Sequence, residues 1–260
     1  MGARFDPHRR LRPIWRGVCC AAALLLALRV GEPALAQSEV DLQLVLAVDA
    51  SGSVNQYRFE LQKRGYVAAL RNPRVLGAIL SGRTQSIAIM MMQWTGPFLQ
   101  IEVLPWALLK DEASVKSAAT VIEQTPRRLF GGGTSISGAI DYSMMMFPRS
   151  PFKGERRVID ISGDGANNGG RSVVRARDEA VAADVTINGL PILAVEPFLD
   201  QYYRDYVIGG PGAFMVVAES FEHFADAILK KMIIEIAANE RPSRRSGLPA
   251  GAGILAKAQR

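Results

Sequence analysis

Asp49, Ser51 and Ser53 stand at alternate positions in Val48-Asp49-Ala50-Ser51-Gly52-Ser53. In extended backbone, residues at i, i+2 and i+4 point the same way, so a carboxylate and two hydroxyls converge. A second carboxylate, Asp164, stands in Ser162-Gly163-Asp164-Gly165. Thr134 follows the run Gly131-Gly132-Gly133 and supplies a third hydroxyl. Two carboxylates, three hydroxyls and water make an all-oxygen donor set. Such a set suits a hard dication, Mg2+ or Mn2+, which takes about six oxygens at ~2.0–2.1 Å and keeps several waters. Alone, the first motif reads rather as a helix start with Ser53 as its N-cap. The three segments taken together favour the cation.

The chain positions these residues by alternating strands and helices. Residues 42–48 are nearly all apolar, as in a strand covered on both faces. Residues 54–70 read as a helix with Phe59, Tyr66, Val67 and Leu70 on one side. Segments 85–93 and 98–106 are strands separated by Trp94-Thr95-Gly96-Pro97, a link short enough only for an antiparallel hairpin. Helices are expected at 111–124, 135–147 and 171–183, with a short one at 202–207. Further strands are expected at 157–162, 185–193 and 213–218. In the last helix Phe221, Phe224, Ala225, Ile228, Leu229, Met232, Ile233 and Ile236 follow the i, i+3, i+4, i+7 pattern. The expected fold is α/β and doubly wound: a mostly parallel six-stranded sheet with one antiparallel strand and helices on both faces. Ligands in such folds bind at the C-terminal strand ends, where Asp49, Thr134 and Asp164 fall.

Composition narrows the chemistry further. The chain has 260 residues and a formal charge of +6, but the charge is unevenly spread. Residues 1–36 carry +4, residues 241–260 carry +5, and residues 37–240 hold 20 basic against 23 acidic side chains. The folded part is therefore mildly acidic, which argues against a nucleic-acid partner. A basic leader, an apolar run at 18–28 and the small-x-small pattern Ala34-Leu35-Ala36 read as a Sec-type signal peptide at 1–36, cleaved after Ala36. Eleven helical residues rise only ~16 Å, too short for the ~30 Å hydrocarbon core. No transmembrane segment is expected after cleavage, and residues 241–260 read as a flexible basic tail. Both cysteines, Cys19 and Cys20, lie in the leader and His223 is the one histidine beyond it, so thiol catalysis and Cys- or His-rich metal sites are excluded.

The motif Asp49-x-Ser51-x-Ser53, with Thr134 and Asp164, resembles that of a von Willebrand factor A domain bearing a metal-ion-dependent adhesion site. The resemblance covers about residues 40–238. Gly131-Gly132-Gly133-Thr134-Ser135, Ile161-Ser162-Gly163-Asp164-Gly165 and Ile208-Gly209-Gly210-Pro211-Gly212 are similar to an exported bacterial branch of that superfamily with no settled function. The resemblance implies strand order 3-2-1-4-5-6 and a cation held by Asp49, Ser51, Ser53, Thr134 and Asp164, partly through water. It also implies a protein partner whose Asp or Glu completes the coordination. In relatives such binding can be coupled to a shift of the last helix, whereas the apolar stripe at 221–236 predicts firm docking here.

Other readings fit less well. Residues 162–168 are similar to a loop of haloacid-dehalogenase-like phosphohydrolases. Those enzymes need a second acid two residues after the nucleophile, and Ser51 stands there, while Asn168 replaces the loop's Asp. His223 reads as a solvated residue rather than a general base. A cation that only staples loops is a further possibility. Met90-Met91-Met92 read as core. Met144-Met145-Met146 sweep about 200° of a helix and read as core or boundary in preference to a partner surface, and Tyr202, Tyr203 and Tyr206 lie near the cation edge. The expectation is thus an exported, periplasmic or secreted, cation-dependent protein-binding module and no enzyme.

Overall fold

The computed structural model describes residues 37–238, with Gly2 alone among the first 36. The expected leader with Cys19, Cys20 and its cleavage site, and the basic tail, lie outside the described residues. Strand β1 (Ser38–Asp49) is followed by helices α1 (Gln56–Arg71) and α2 (Pro73–Leu80), then strands β2 (Ile87–Trp94) and β3 (Gln100–Leu109). Helices α3 (Glu112–Gln124) and α4 (Ile136–Met146) lead to β4 (Phe152–Gly163), α5 (Val173–Ala182) and β5 (Val185–Pro191). Short helix α6 (Leu199–Tyr202) and helix α7 (Phe224–Ala237) complete the described chain. Among the described residues no helix is long and apolar enough to cross a membrane.

The sheet has five strands in the order β3-β2-β1-β4-β5, not the six expected. β2 and β3 are antiparallel and the other pairs parallel. Residues 213–218 run beside β5 and the residues after it but form only isolated bridges, Gly189–Met215 and Ile192–Ala218, rather than a continuous ladder. The ladder is interrupted because Asn188 Oδ1 takes the Phe214 N–H at 2.9 Å, and because Gly210 and Gly212 turn the chain at φ +96° and +71°. These glycines adopt a backbone conformation that side chains resist.

The alternation of side chains across the sheet divides the core in two. Leu42, Leu44, Leu46, Val48 and Met91 pack toward α1, α3 and α7. Val45, Ala47, Met90 and Met92 pack on the opposite face toward α4 and α5. The methionine triplet is therefore core, as expected. Each fully buried leucine is worth about 1.5–3 kcal/mol relative to exposure. Helix α2 escaped the sequence reading, although its signal is present. Asn72 caps α2 by accepting from Arg74 N at 3.0 Å, and Pro73 stands at the first helical position.

The last helix departs from its expected stripe. Ala225 is exposed, while Lys231 and Glu235, one turn apart, are buried with Ile228, Met232 and Ile236. Lys231 Nζ lies 2.7 Å from Asp160 Oδ1 and 2.8 Å from Glu235 Oε1. Asn188 Nδ2 donates to Glu235 Oε1 at 2.8 Å. Burial, opposed by Lys231 and reinforced by the Glu235 charge, pushes the Asp160 carboxyl up to about 7. Removing the ammonium leaves two dry carboxylates without a counter-ion. Lys231→Met is expected to destabilise the fold by about 3–5 kcal/mol at pH 8 in urea titrations. The loss should shrink at pH 4, where the Asp160 carboxyl takes up its proton.

Candidate metal centre

β1, β2 and β4 end side by side, with Asp49 paired to Trp94 and Val48 to Ser162. The parallel strands therefore deliver Asp49 and the residues after Gly163 to one edge. Asp49 is fully buried, and its Oδ1 accepts from Ser51 N at 2.7 Å. The chain then turns, Val54 N bonding Ser51 O at 3.1 Å. Helix α1 is capped by Asn55, whose side chain accepts from Arg58 N at 2.9 Å, and not by Ser53 as the isolated motif suggested. The turn frees Ser53 to face the other aspartate. Ser53 Oγ lies 3.2 Å from Ser51 Oγ and donates to Asp164 Oδ1 at 2.5 Å.

Asp164 closes the pair. Its N–H lies 3.4 Å from Asp49 Oδ2. The two carboxylates approach because residue 163 is glycine: a β-carbon there would stand 3.0 Å from Asp49 Oδ2 and 3.1 Å from Tyr203 Oη. Four of the five expected residues, Asp49, Ser51, Ser53 and Asp164, are thus linked by direct contacts. Thr134 makes no direct hydrogen bond with these four and lies beside Gly165, the residue after Asp164. Its Oγ1 lies 3.5 Å from where a Gly165 β-carbon would sit.

The site carries uncompensated negative charge. Asp164 Oδ2 is buried without a hydrogen-bond partner. The nearest cation to it, Arg58 Nη1, is 3.7 Å away and also donates to Ser53 O at 2.8 Å. Burial first, then the Asp164 charge, pushes the Asp49 carboxyl up to about 7 against the hydrogen bonds from Ser51. Burial likewise raises Asp164, with Ser53 and Arg58 pulling the other way and Glu196 adding to the rise. Carboxylates raised in this manner hold protons in place of a missing positive charge. A dication is the species that two such carboxylates and their neighbouring hydroxyls fit. Among the described residues there is no cluster of three or more His, Cys, Asp or Glu that could hold a metal, so hydroxyls must complete any donor set.

Several residues that build this edge were not singled out from sequence. Arg127 is buried and donates through Nη2 to Ala50 O at 3.1 Å and Ser51 O at 3.2 Å, and through Nε to Leu129 O at 2.7 Å. Thr95 Oγ1 sits 2.7 and 2.9 Å from the carbonyl oxygens of Gly131 and Gly133. Gly132 has φ +99°, and a β-carbon on it would strike Thr95 Oγ1. Asn168 Oδ1 accepts from Thr134 N at 2.8 Å, and Asn167 Oδ1 accepts from Ser137 N at 2.9 Å. Both asparagines hold backbone of the segment around Thr134. Glu196 places a third carboxylate at the rim, accepting from Ala166 N at 3.1 Å. The loop glycines and asparagines were visible as turn formers, but their partners are distant in sequence.

The tyrosines divide. Tyr203 is buried, Tyr202 Oη accepts from Asn167 N at 3.3 Å, and Tyr206 is exposed. Met145 is the exposed member of its triplet. His223 is exposed, 3.1 Å from Ser220 Oγ.

The fold is that of a von Willebrand factor A domain, as solved structures bear out. Proximal thread matrix protein 1 from the mussel byssus, solved with a zinc-occupied MIDAS motif, is 18% identical at a TM-score of 0.57, over 77% of this chain and 49% of that one. The pilus adhesin SpaC from Lactobacillus rhamnosus GG is 15% identical at 0.56, over 77% and 31%. The von Willebrand factor type A protein from Catenulispora acidiphila is 14% identical at 0.53, over 77% and 43%. This chain therefore spans half or less of each of these chains. A search of curated protein sequences finds no match. A model of the family described as "Protein of unknown function (DUF1194)" matches residues 39–240, most of the sequence, and the chain belongs to that family.

Proposed function

We propose that the protein is an exported protein-binding module that works through a divalent cation, Mg2+ or Mn2+, held by Asp49, Ser51, Ser53, Thr134 and Asp164. The observation that carries this reading is the pair of buried carboxylates at the strand ends, with Asp164 Oδ2 lacking any hydrogen-bond partner. A bound dication would neutralise both aspartates and offer an open position to a carboxylate of a partner protein. The chain's residues do the rest. Ser51 and Ser53 orient the two carboxylates, Asn168 fixes the Thr134 backbone, and Arg127 holds the first loop. The zinc-occupied site of the mussel protein supports divalent-metal binding on this fold. Export to the periplasm or beyond rests on the leader at 1–36.

A cation serving only as a staple is disfavoured by one feature. The loops already bond one another directly, as in Gly52 N to Gly132 O, Ser135 N to Thr95 O and Asn168 N to Thr134 O. Catalysis is not part of the proposal, since Ser51 stands where a phosphohydrolase would need an acid.

The reading is tested by capture from a bacterial envelope extract in Mg2+ and in chelator. A partner retained only with Mg2+, and not by Asp49→Ala, supports it; equal capture in all three conditions overturns it. Thermal melts should separate with and without Mg2+ in wild type and coincide in Asp49→Ala. Saturation at ~100 times the dissociation constant is worth about 2.7 kcal/mol. In chelator, pH gives a second check. A carboxyl raised from 3.8 to about 7 supplies its full stability below pH 3.8 and loses it as pH rises through 7. Asp49→Asn should therefore be more stable than wild type by about 1–3 kcal/mol at pH 8, with no advantage at pH 4. Asn168→Ala removes no donor but frees Thr134, and should weaken Mn2+ binding by roughly 10–100-fold in calorimetric titration.

A further inference from the structure

Among the described residues the four most exposed large apolar side chains are all aromatic: Phe98 at 94%, Phe198 at 72%, Phe130 at 71% and Tyr57 at 62%. All four stand on segments at the edge that carries Asp49 and Asp164. Each is tied to that edge by a neighbour. Phe130 lies under the Arg127 guanidinium, 5.3 Å from its ring centroid, and Arg127 bonds the Ala50 and Ser51 carbonyls. Tyr57 precedes Arg58, which bonds Ser53 O and faces Asp164. Phe98 is in the turn whose Thr95 clamps Gly131 and Gly133, just before Thr134. Phe198 follows Glu196, which is anchored on Ala166 N. Four other aromatic rings, Trp94, Tyr66, Tyr203 and Phe224, are by contrast completely buried. Exposed aromatics concentrated on one edge mark a contact surface, because they supply large buried area at small entropic cost.

We infer that Tyr57, Phe98, Phe130 and Phe198 form an aromatic rim around the cation. The rim selects a protein segment in which the metal-completing Asp or Glu has apolar side chains as near neighbours. The inference rests on the cation-centred reading above. Charge complementarity fixes the centre: a dication and Arg58 call for an anion there, while the rings call for apolar flanks. The same rings could enter a lipid surface. The excess of acidic over basic residues in 37–240, 23 to 20, opposes docking on an anionic membrane.

The experiment is selection of a displayed random-peptide library on the full chain in Mg2+, repeated in chelator and on Phe98→Ser/Phe198→Ser. Both phenylalanines are exposed, so the double variant should keep its melting temperature and its Mg2+ response. Wild type should enrich Asp or Glu with Leu, Ile, Phe or Trp beside it. A synthetic peptide of the enriched sequence should bind the double variant about tenfold more weakly or worse. Enrichment of acids among polar neighbours, no enrichment over the unselected library, or unchanged affinity for the double variant overturns the rim. So does binding to phosphatidylglycerol vesicles that exceeds binding to the peptide. Apolar peptides without an acid, bound equally in chelator, overturn the cation-centred reading and leave the rings as an apolar surface only.

Discussion

Two carboxylates are forced together at the C-terminal edge of the sheet, and much of the local structure is a response to their repulsion. The parallel pairing of β1 with β2 and β4 leaves no freedom in where Asp49 ends up. Glycine at 163 lets Asp164 come back to within reach of it. Serine hydroxyls and the backbone N–H groups of Ser51 and Asp164 absorb part of the charge, while burial beside the second carboxylate pushes the Asp49 carboxyl up to about 7. Arg127 and Thr95, both turned toward carbonyls rather than carboxylates, pin the surrounding loops and leave the negative charge in place.

Strand β4 offers its own control. Asp160 and Asp164 are both buried aspartates on the same strand face or its continuation, with Ser162 between them. Asp160 has an internal counter-ion in Lys231 at 2.7 Å, delivered by the last helix. Asp164 has only a distant, half-exposed arginine. Burying an ion beside its partner is a structural solution. Asp164 is held instead by Ser53 on one oxygen, while the other is buried with no hydrogen-bond partner and its nearest cation 3.7 Å away.

Much of this was legible from residue order. The apolar runs located the five strands, although β1 and β4 begin at Ser38 and Phe152 rather than at residues 42 and 157, and the short link read at Trp94-Thr95-Gly96-Pro97 required the antiparallel turn. Asp49, Ser51, Ser53 and Asp164 were found because alternation in a strand is a short-range rule. What escaped was long-range. Lys231 and Glu235 lie outside the apolar stripe read from the sequence, and nothing local reveals Asp160 across the core. Arg127 and Asn168 act on backbone atoms 34 or more residues away. The sixth strand failed because its pairing depends on a side chain of β5, Asn188, taking an N–H that a ladder would need.

The ammonium of helix α7 has a mechanical consequence. A slide of that helix along its axis by one turn, about 5.4 Å, would carry Lys231 and Glu235 away together and strand the Asp160 carboxylate in the interior, so the contact keys the helix to one axial register.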